Sequence, residues 1–236
     1  MSTLYLIRHG QASFGSADYD DLSALGRRQA SRVGDHFLRA GIRFDACWSG
    51  SLRRQRQTAD QVRRSYRQAG DELPLLGETQ ALNEYDYEAV LKALVPIIET
   101  EDPGFIQDVK AMFSDQRAFQ KVFGRVMRRW ASGRDNLESS PSWAGFCEQV
   151  ANGLKAIMAG SGHSSHVAAF TSGGPIAAFV GSVLKLEPVT TIALSWQLVN
   201  ASVTRFQFSQ GRTSLASFNE QGHLEGQGTE SMVTYR

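Results

Sequence analysis

The sequence predicts an α/β fold, a three-layer sandwich in which a mostly parallel central sheet lies between helices. Short apolar runs typical of buried strands alternate with amphipathic helical patterns over residues 3–70. Each apolar run ends in a loop of small or polar residues, and a similar run at 166–171 leads through a Gly-rich turn into another helix. Strands that alternate with helices form parallel sheets covered by helices.

The first four elements follow from local patterns. Residues 3–7, TLYLI, are rich in β-branched, aromatic and aliphatic side chains and predict a strand. Ser23 suits the N-cap of a helix that ends at Gly41. Residues 44–50 predict a second buried strand, and residues 51–70 predict a second helix.

The chain changes character over residues 86–145. Helical patterns follow one another there, and no strand candidate interrupts them. We expect a helical insertion over the active site, within a single domain that covers residues 1–236. The following patterns predict a helix near 146–160, the strand at 166–171 with its helix, and further strands at 191–197, 201–209 and 213–219.

Bulk composition narrows the function. With 236 residues, 42% hydrophobic and 21% charged, the chain is typical of a globular protein. A net charge of +1 gives no general attraction for nucleic acid or an anionic membrane. Two cysteines without CxxC spacing predict core thiols in a reducing compartment. Without a signal-like N-terminus or a long apolar run, we expect a cytoplasmic protein. We also expect no cofactor.

Polar residues follow three of the predicted strands. Arg8 and His9 end the first strand, Arg54 follows the second, and residues 171–174 form a Gly-rich turn after the third. In a parallel sheet these loops converge on one edge, where ligands bind. Arginines beside the N-terminus of a helix form a phosphate site. The alternative for Arg54 is that it lies on the surface of the second helix and binds no phosphate.

This grouping suggests covalent catalysis. A neutral histidine is a nucleophile, and neighbouring arginines lower the pKa of His9 and keep it neutral. A leaving oxygen also needs a proton, for which Glu84 in ALNEYDYE is a candidate. A solvated loop carboxylate is the alternative for Glu84.

The motifs LIRHG, SGSLRRQRQTA and LNE, in this order and with a Gly-rich turn after a late strand, resemble the histidine phosphatase superfamily, also called phosphoglycerate mutase-like. The resemblance implies that His9 forms a phosphohistidine and that a backbone carbonyl orients its other ring nitrogen. It also implies that Arg8 and Arg54 grip the phosphoryl oxygens, and that Glu84 donates a proton and later activates water. Substrate or phosphate contacts are expected from Gln11, Ser13, Ser172 and Gly173.

One position departs from the family pattern. The family has a second histidine before glycine in the late turn, and this chain has Ser172 in FTSGGPIAA. A hydroxyl donates one hydrogen bond but brings no positive charge. Loss of one preorganised donor costs roughly 10²- to 10³-fold in rate. We therefore expect slow or specialised chemistry.

The expected function is a metal-independent phosphomonoester hydrolase that acts on a small phosphorylated substrate. The segments QASFGSADYD and YDYEAVLKAL match neither loop that mutases of this family carry. Two alternatives stay open. One is a phosphoglycerate mutase-type phosphotransferase, and the other is a catalytically weak module that binds a phosphorylated ligand or a protein. Exposed faces of the 86–145 helices leave a homodimer open.

Overall fold

The described part of the central sheet has six strands, five of which match strands that the sequence predicts. A computed structural model describes residues 1–13, 20–135, 137, 142–225 and 232–235. Within them the strand order is β3-β2-β4-β1-β5-β6, with β3, β2, β4 and β1 parallel, β5 antiparallel to β1, and β6 antiparallel to β5. The strands are β1 (Ser2–Arg8), β2 (Ala46–Ser49), β3 (Leu76–Glu78), β4 (His166–Thr171), β5 (Val203–Ser209) and β6 (Arg212–Glu220).

Helices cover both faces of this sheet. Along β1, Leu4 and Leu6 belong to one hydrophobic cluster, whereas Tyr5 and Ile7 belong to another. A strand buried on both faces is apolar throughout, which explains the unbroken run in TLYLI. The helices are α1 (Ala24–Arg39), α2 (Arg53–Gln68), α3 (Tyr87–Glu101), α4 (Phe105–Ala111), α5 (Gln116–Ser132), α6 (Trp143–Ala159), α7 (Gly173–Leu184) and α8 (Pro188–Ser195), with 3₁₀ turns at Gln80–Leu82 and Gly222–Leu224.

The two clusters define the outer layers. Val33 and Phe37 of α1 pack with Val62 and Tyr66 of α2 in the cluster that contains Tyr5. Buried residues of α3, α5, α6 and α7 form the other cluster. The predicted three-layer α/β fold, with a mostly parallel sheet, is therefore confirmed.

Local signals explain where several elements begin. Ser23 caps α1, because its Oγ accepts a hydrogen bond from the backbone N–H of Gly26 at 3.0 Å. In the described part of 86–145 lie α3, α4, α5 and the start of α6, and no strand. Residues 136 and 138–141 of that range are outside the described residues.

The predicted strand at 191–197 is wrong. Residues Pro188–Ser195 form α8, with Pro188 at the helix start, where proline is well tolerated. Thr191, Ile192 and Ser195 are buried, a spacing that fits one helical face. The prediction that both cysteines are core residues is correct for Cys47, which is buried. Cys147 is partly exposed.

Candidate active site

The carboxyl ends of β1 and β4 coincide. Arg8 is in register with Thr171, and the backbone N–H of His9 donates to the carbonyl of Thr171 at 2.9 Å. His9 is only 7% exposed. Pairing of these two strands therefore brings the end of LIRHG beside the Gly-rich turn.

The contacts of the His9 ring define its tautomer. Nδ1 lies 2.8 Å from the carbonyl oxygen of Gly10, and Nε2 lies 3.1 Å from Nε of Arg54. Arginine Nε can only donate, so Nε2 is the acceptor and carries no proton. The ring proton therefore sits on Nδ1 and is donated to Gly10.

Burial and charge keep this ring neutral. Burial is the largest cause that holds the pKa of His9 well below its usual range, and the charges of Arg54 and Arg8 lower it further. A neutral imidazole with an unprotonated Nε2 is the nucleophilic form of histidine.

Arg54 lies in the first turn of α2, and its side chain is 12% exposed. It contacts His9 through Nε and Asp20 through Nη1, which lies 2.6 Å from Oδ1. The other oxygen of Asp20 accepts from the backbone N–H of Arg53 at 2.7 Å. Arg54 is therefore part of the His9 site, and Asp20 is a neighbour that the motifs did not reveal.

Backbone carbonyls position Arg8. Its guanidinium donates to the carbonyl of Leu198 and, at 3.1 Å, to that of Tyr235. The C-terminal residues are held in place by Asn200, whose N–H donates to Thr234 at 2.8 Å. These residues lie far from the RHG motif in sequence, and no local signal identified them.

The carboxyl group of Glu84 contacts the N-terminus of α7. Its Oε2 accepts from the backbone N–H of Gly174 at 3.1 Å, and Oε1 accepts from that of Tyr85 at 3.3 Å. Burial raises the pKa of Glu84, against the opposing effects of these hydrogen bonds and of both arginines. A Cβ at Gly174 would overlap Oε1 of Glu84, so only glycine allows this approach.

These groups meet in one cavity of about 460 Å³. Arg8, His9, Arg54, Glu84 and Gly173 all line it. A cationic, nucleophilic region with an adjacent carboxyl is therefore present where the sequence analysis expects a phosphate site.

Ser172 lies outside the wall of this cavity. It is fully buried, and its Oγ accepts a hydrogen bond from Nε2 of Gln55 at 2.8 Å. The same amide group also donates to the carbonyl of Leu82 at 2.8 Å. The Ser172 side chain therefore packs against α2, and its phosphate contact stays a prediction.

Gln11 and Ser13 are also absent from the cavity wall. Gln11 accepts from Oγ of Ser23 at 2.9 Å, and its N–H donates to Oε1 of Gln29 at 2.8 Å. The N–H of Ser13 donates to the carbonyl of Asp21 at 2.8 Å. These contacts connect the loop after His9 to the start of α1.

The described ranges contain no group of three or more His, Cys, Asp or Glu arranged to hold a metal ion. No helix among them is long and apolar enough to cross a membrane.

Comparison with known proteins identifies the family. The model of the histidine phosphatase superfamily, branch 1, matches residues 4–221. The chain belongs to this superfamily. Among curated relatives, the 2,3-bisphosphoglycerate-dependent phosphoglycerate mutase of Bartonella bacilliformis is 33% identical over 91 residues, which are 36% of this chain and 43% of the mutase. The histidine phosphatase chain thus spans less than half the length of that relative.

Solved structures of the superfamily share the fold. Phosphoserine phosphatase from Entamoeba histolytica, in complex with 3-phosphoglyceric acid, has a TM-score of 0.64 at 21% identity, covering 95% of this chain and 100% of that one. Phosphoglycerate mutase from Bacillus anthracis has a TM-score of 0.60 at 19% identity, covering 94% of each. The superfamily fold therefore accommodates both phosphatases and mutases.

Proposed function

We propose that this histidine phosphatase superfamily member is a phosphomonoester hydrolase that works through a phosphohistidine at His9. The observation that carries the proposal is the unprotonated Nε2 of a buried, neutral His9, in contact with Arg54. A similar fold in E. histolytica phosphoserine phosphatase, whose structures contain phosphoserine or 3-phosphoglyceric acid, supports a small phosphorylated substrate.

In the first step, Nε2 of His9 attacks phosphorus as the ester P–O bond breaks. Arg8, Arg54 and the backbone at Gly173 hold the phosphoryl oxygens, and Glu84 gives its proton to the leaving oxygen. The raised pKa of Glu84 favours the protonated form, and the charge of a bound phosphate raises that pKa further.

In the second step, water attacks the phosphorus of the phosphohistidine. Glu84, now a carboxylate, takes a proton from this water while the N–P bond breaks. Inorganic phosphate leaves, and His9 and Glu84 return to their starting states. No step needs a metal ion or an organic cofactor.

Turnover is proposed to be slow because Ser172 stands where related enzymes have a second imidazole. The Ser172 hydroxyl is buried against Gln55, outside the cavity wall, so we expect the transition state to have one donor fewer. The expected loss is roughly 10²- to 10³-fold. We also propose that the 86–145 insertion covers the site, that the protein forms a homodimer and that it is cytoplasmic.

The alignment with a phosphoglycerate mutase favours one alternative, return of the phosphoryl group to a second substrate. One experiment separates these functions. Wild type and His9→Ala are incubated with an aryl phosphate and with 3-phosphoglycerate, with chelator, between pH 5 and 8. Free phosphate, isomerised product and phosphorylated protein are then quantified.

Chelator-resistant phosphate release and phosphorylation of the protein, both lost in His9→Ala, are expected for the hydrolase. Isomerisation of 3-phosphoglycerate without phosphate release would instead indicate the mutase. Binding of phosphate esters without either product would indicate a binding module.

A further inference from the structure

Two chemical sets are prominent among the residues that line the cavity. The first consists of the cationic Arg8 and Arg54 with the neutral His9, and it suits a phosphoryl group. The second set is aromatic and consists of Tyr85, Tyr87, Phe119, Phe123, Trp196 and Tyr235. Because the first set accounts for the phosphate, the second set is available to the leaving group.

Part of the aromatic set forms a continuous surface between α3 and α5. The rings of Phe119 and Phe123 stack with centroids 5.6 Å apart, and Tyr87 meets Phe123 edge-on at 6.1 Å. Phe123 is largely a core residue at 8% exposure, but Phe119 and Tyr87 are only partly buried. An aromatic or bulky apolar group can therefore pack against this surface.

The charges beside this surface are negative. Asp86 and Glu88, at the start of α3, both line the cavity and are exposed. Asp86 also caps α3, accepting from the N–H of Ala89 at 3.0 Å. A carboxylate on the leaving group would therefore approach two like charges.

Cations near the aromatic surface are scarce. Among the described lining residues the arginines and lysines are Arg8 and Arg54, which belong to the phosphate-binding set. Arg128 lies outside the lining, with Cζ 5.7 Å from the ring centroid of Trp196. A carboxylated leaving group thus gains no lining cation beyond the two that hold phosphate.

We propose that this site prefers phosphate monoesters of aromatic or bulky apolar alcohols that are neutral or cationic, and that it disfavours leaving groups with a carboxylate. The inference rests on the proposed function, since it assigns a substrate class to the same site.

The test uses three benzyl phosphates that carry a para carbamoyl, carboxyl or aminomethyl group. The methylene insulates the leaving oxygen from the substituent, so the three esters differ chiefly in charge. The carbamoyl and aminomethyl esters are expected to show kcat/KM about fivefold or more above that of the carboxyl ester, as expected for partly screened charges. Glu88→Gln should bring the kcat/KM values of the three esters closer together. Glu72→Gln is the control and should leave their ratio unchanged, because Glu72 is exposed and lies outside the cavity wall.

The aromatic surface is tested separately with Phe119→Ala. This variant should lower the ratio of kcat/KM for unsubstituted benzyl phosphate to that for methyl phosphate about three- to tenfold. Phe113→Ala is the control, since Phe113 is 89% exposed and is not among the lining residues.

Calorimetry measures how tightly the same benzyl esters bind to His9→Ala. It therefore reports the preference among leaving groups without turnover. Hydrolysis of all three esters with the carboxyl ester equal or favoured would overturn this inference and leave the proposed function intact. Absence of hydrolysis with the expected order of binding would overturn only the proposed function. Equal or tighter binding of the carboxyl ester, or binding of none, would overturn the inference.

Discussion

Nε of Arg54 donates a hydrogen bond to Nε2 of His9 across 3.1 Å. The contact occupies the lone pair that attacks phosphorus in the proposed mechanism, so we expect this guanidinium to turn from the imidazole to the phosphoryl oxygens when substrate binds. In the proposed mechanism Arg54 has two roles, since with burial it helps to keep the ring neutral in the free protein and it binds the anion in the complex.

The first prediction concerns pH. In the proposed mechanism His9 acts in its neutral form, so its low pKa should place the acid limb of kcat/KM below the usual range for histidine. Arg54→Gln removes one of the charges that lower this pKa, so the acid limb should move to higher pH. Burial and Arg8 remain and limit that shift. Loss of a phosphate contact should also lower kcat/KM about 10²-fold.

The measurement is the profile of kcat/KM between pH 4 and 8. Arg56→Gln is the control, because Arg56 lies in the same helix, is exposed and pairs with Glu78 at 3.6 Å. An acid limb that stays in place in Arg54→Gln would contradict the electrostatic role.

The second prediction concerns Asp20, whose carboxylate pairs with Arg54 and is expected to compete with phosphate for it. Asp20→Asn removes the negative charge and keeps one acceptor oxygen, which serves either Nη1 of Arg54 or the N–H of Arg53 but not both. Inorganic phosphate should therefore inhibit the variant at about two- to fivefold lower concentration. Asp21→Asn is a matched control, since Asp21 contacts Arg27, Arg53 and Gln57. Equal inhibition constants for Asp20→Asn and wild type would contradict the competition.

The third prediction separates catalysis from binding at Glu84. Glu84→Gln removes the proton donor, so kcat/KM for an alkyl phosphate should fall about 10²- to 10⁴-fold. Affinity for inorganic phosphate should be kept or tightened, since no positive charge is lost. Because the pKa of Glu84 is raised, its protonated form persists to higher pH, and the alkaline limb that it produces should disappear in the variant. A loss as large for p-nitrophenyl phosphate, whose leaving group needs little protonation, would argue against an acid role.

Local sequence was enough for the centre of the site. Arg8 and His9 adjoin the end of an apolar strand, and Ser23 is a strong N-cap, so short-range patterns placed β1 and α1. Arg54 and Glu84 came from a family resemblance in motif order and spacing.

Long-range contacts were the part that the sequence did not reveal. Asp20 reaches Arg54 across 34 positions, and Tyr235 reaches Arg8 across 227. The three residues of β3 have no useful periodicity and form a strand by pairing with β2. The misread run at 191–197 is short and apolar, a pattern that helix and buried strand share.

The fourth prediction tests the role of Ser172. Ser172→Ala removes the acceptor for Nε2 of Gln55, which still donates to the carbonyl of Leu82. The free energy of unfolding should fall by about 1 kcal/mol, the net contribution of one hydrogen bond. Because the hydroxyl is buried against Gln55, kcat/KM should change little. A 10²-fold loss of kcat/KM would show that the hydroxyl reaches the phosphoryl group.

The last prediction concerns the glycine that admits Glu84 to the start of α7. A Cβ at Gly174 would overlap Oε1 of Glu84 and come close to the ring of Tyr85, so Gly174→Ala should displace the carboxyl and break its bond to the helix N–H. We expect kcat/KM for an alkyl phosphate to fall about 10²-fold, with a much smaller loss for p-nitrophenyl phosphate. Gly162→Ala is the control, since a Cβ there meets no atom within 4 Å. If the variant only weakens packing, its free energy of unfolding would fall while kcat/KM of the folded protein stayed unchanged. That result would contradict a role of Gly174 in positioning Glu84.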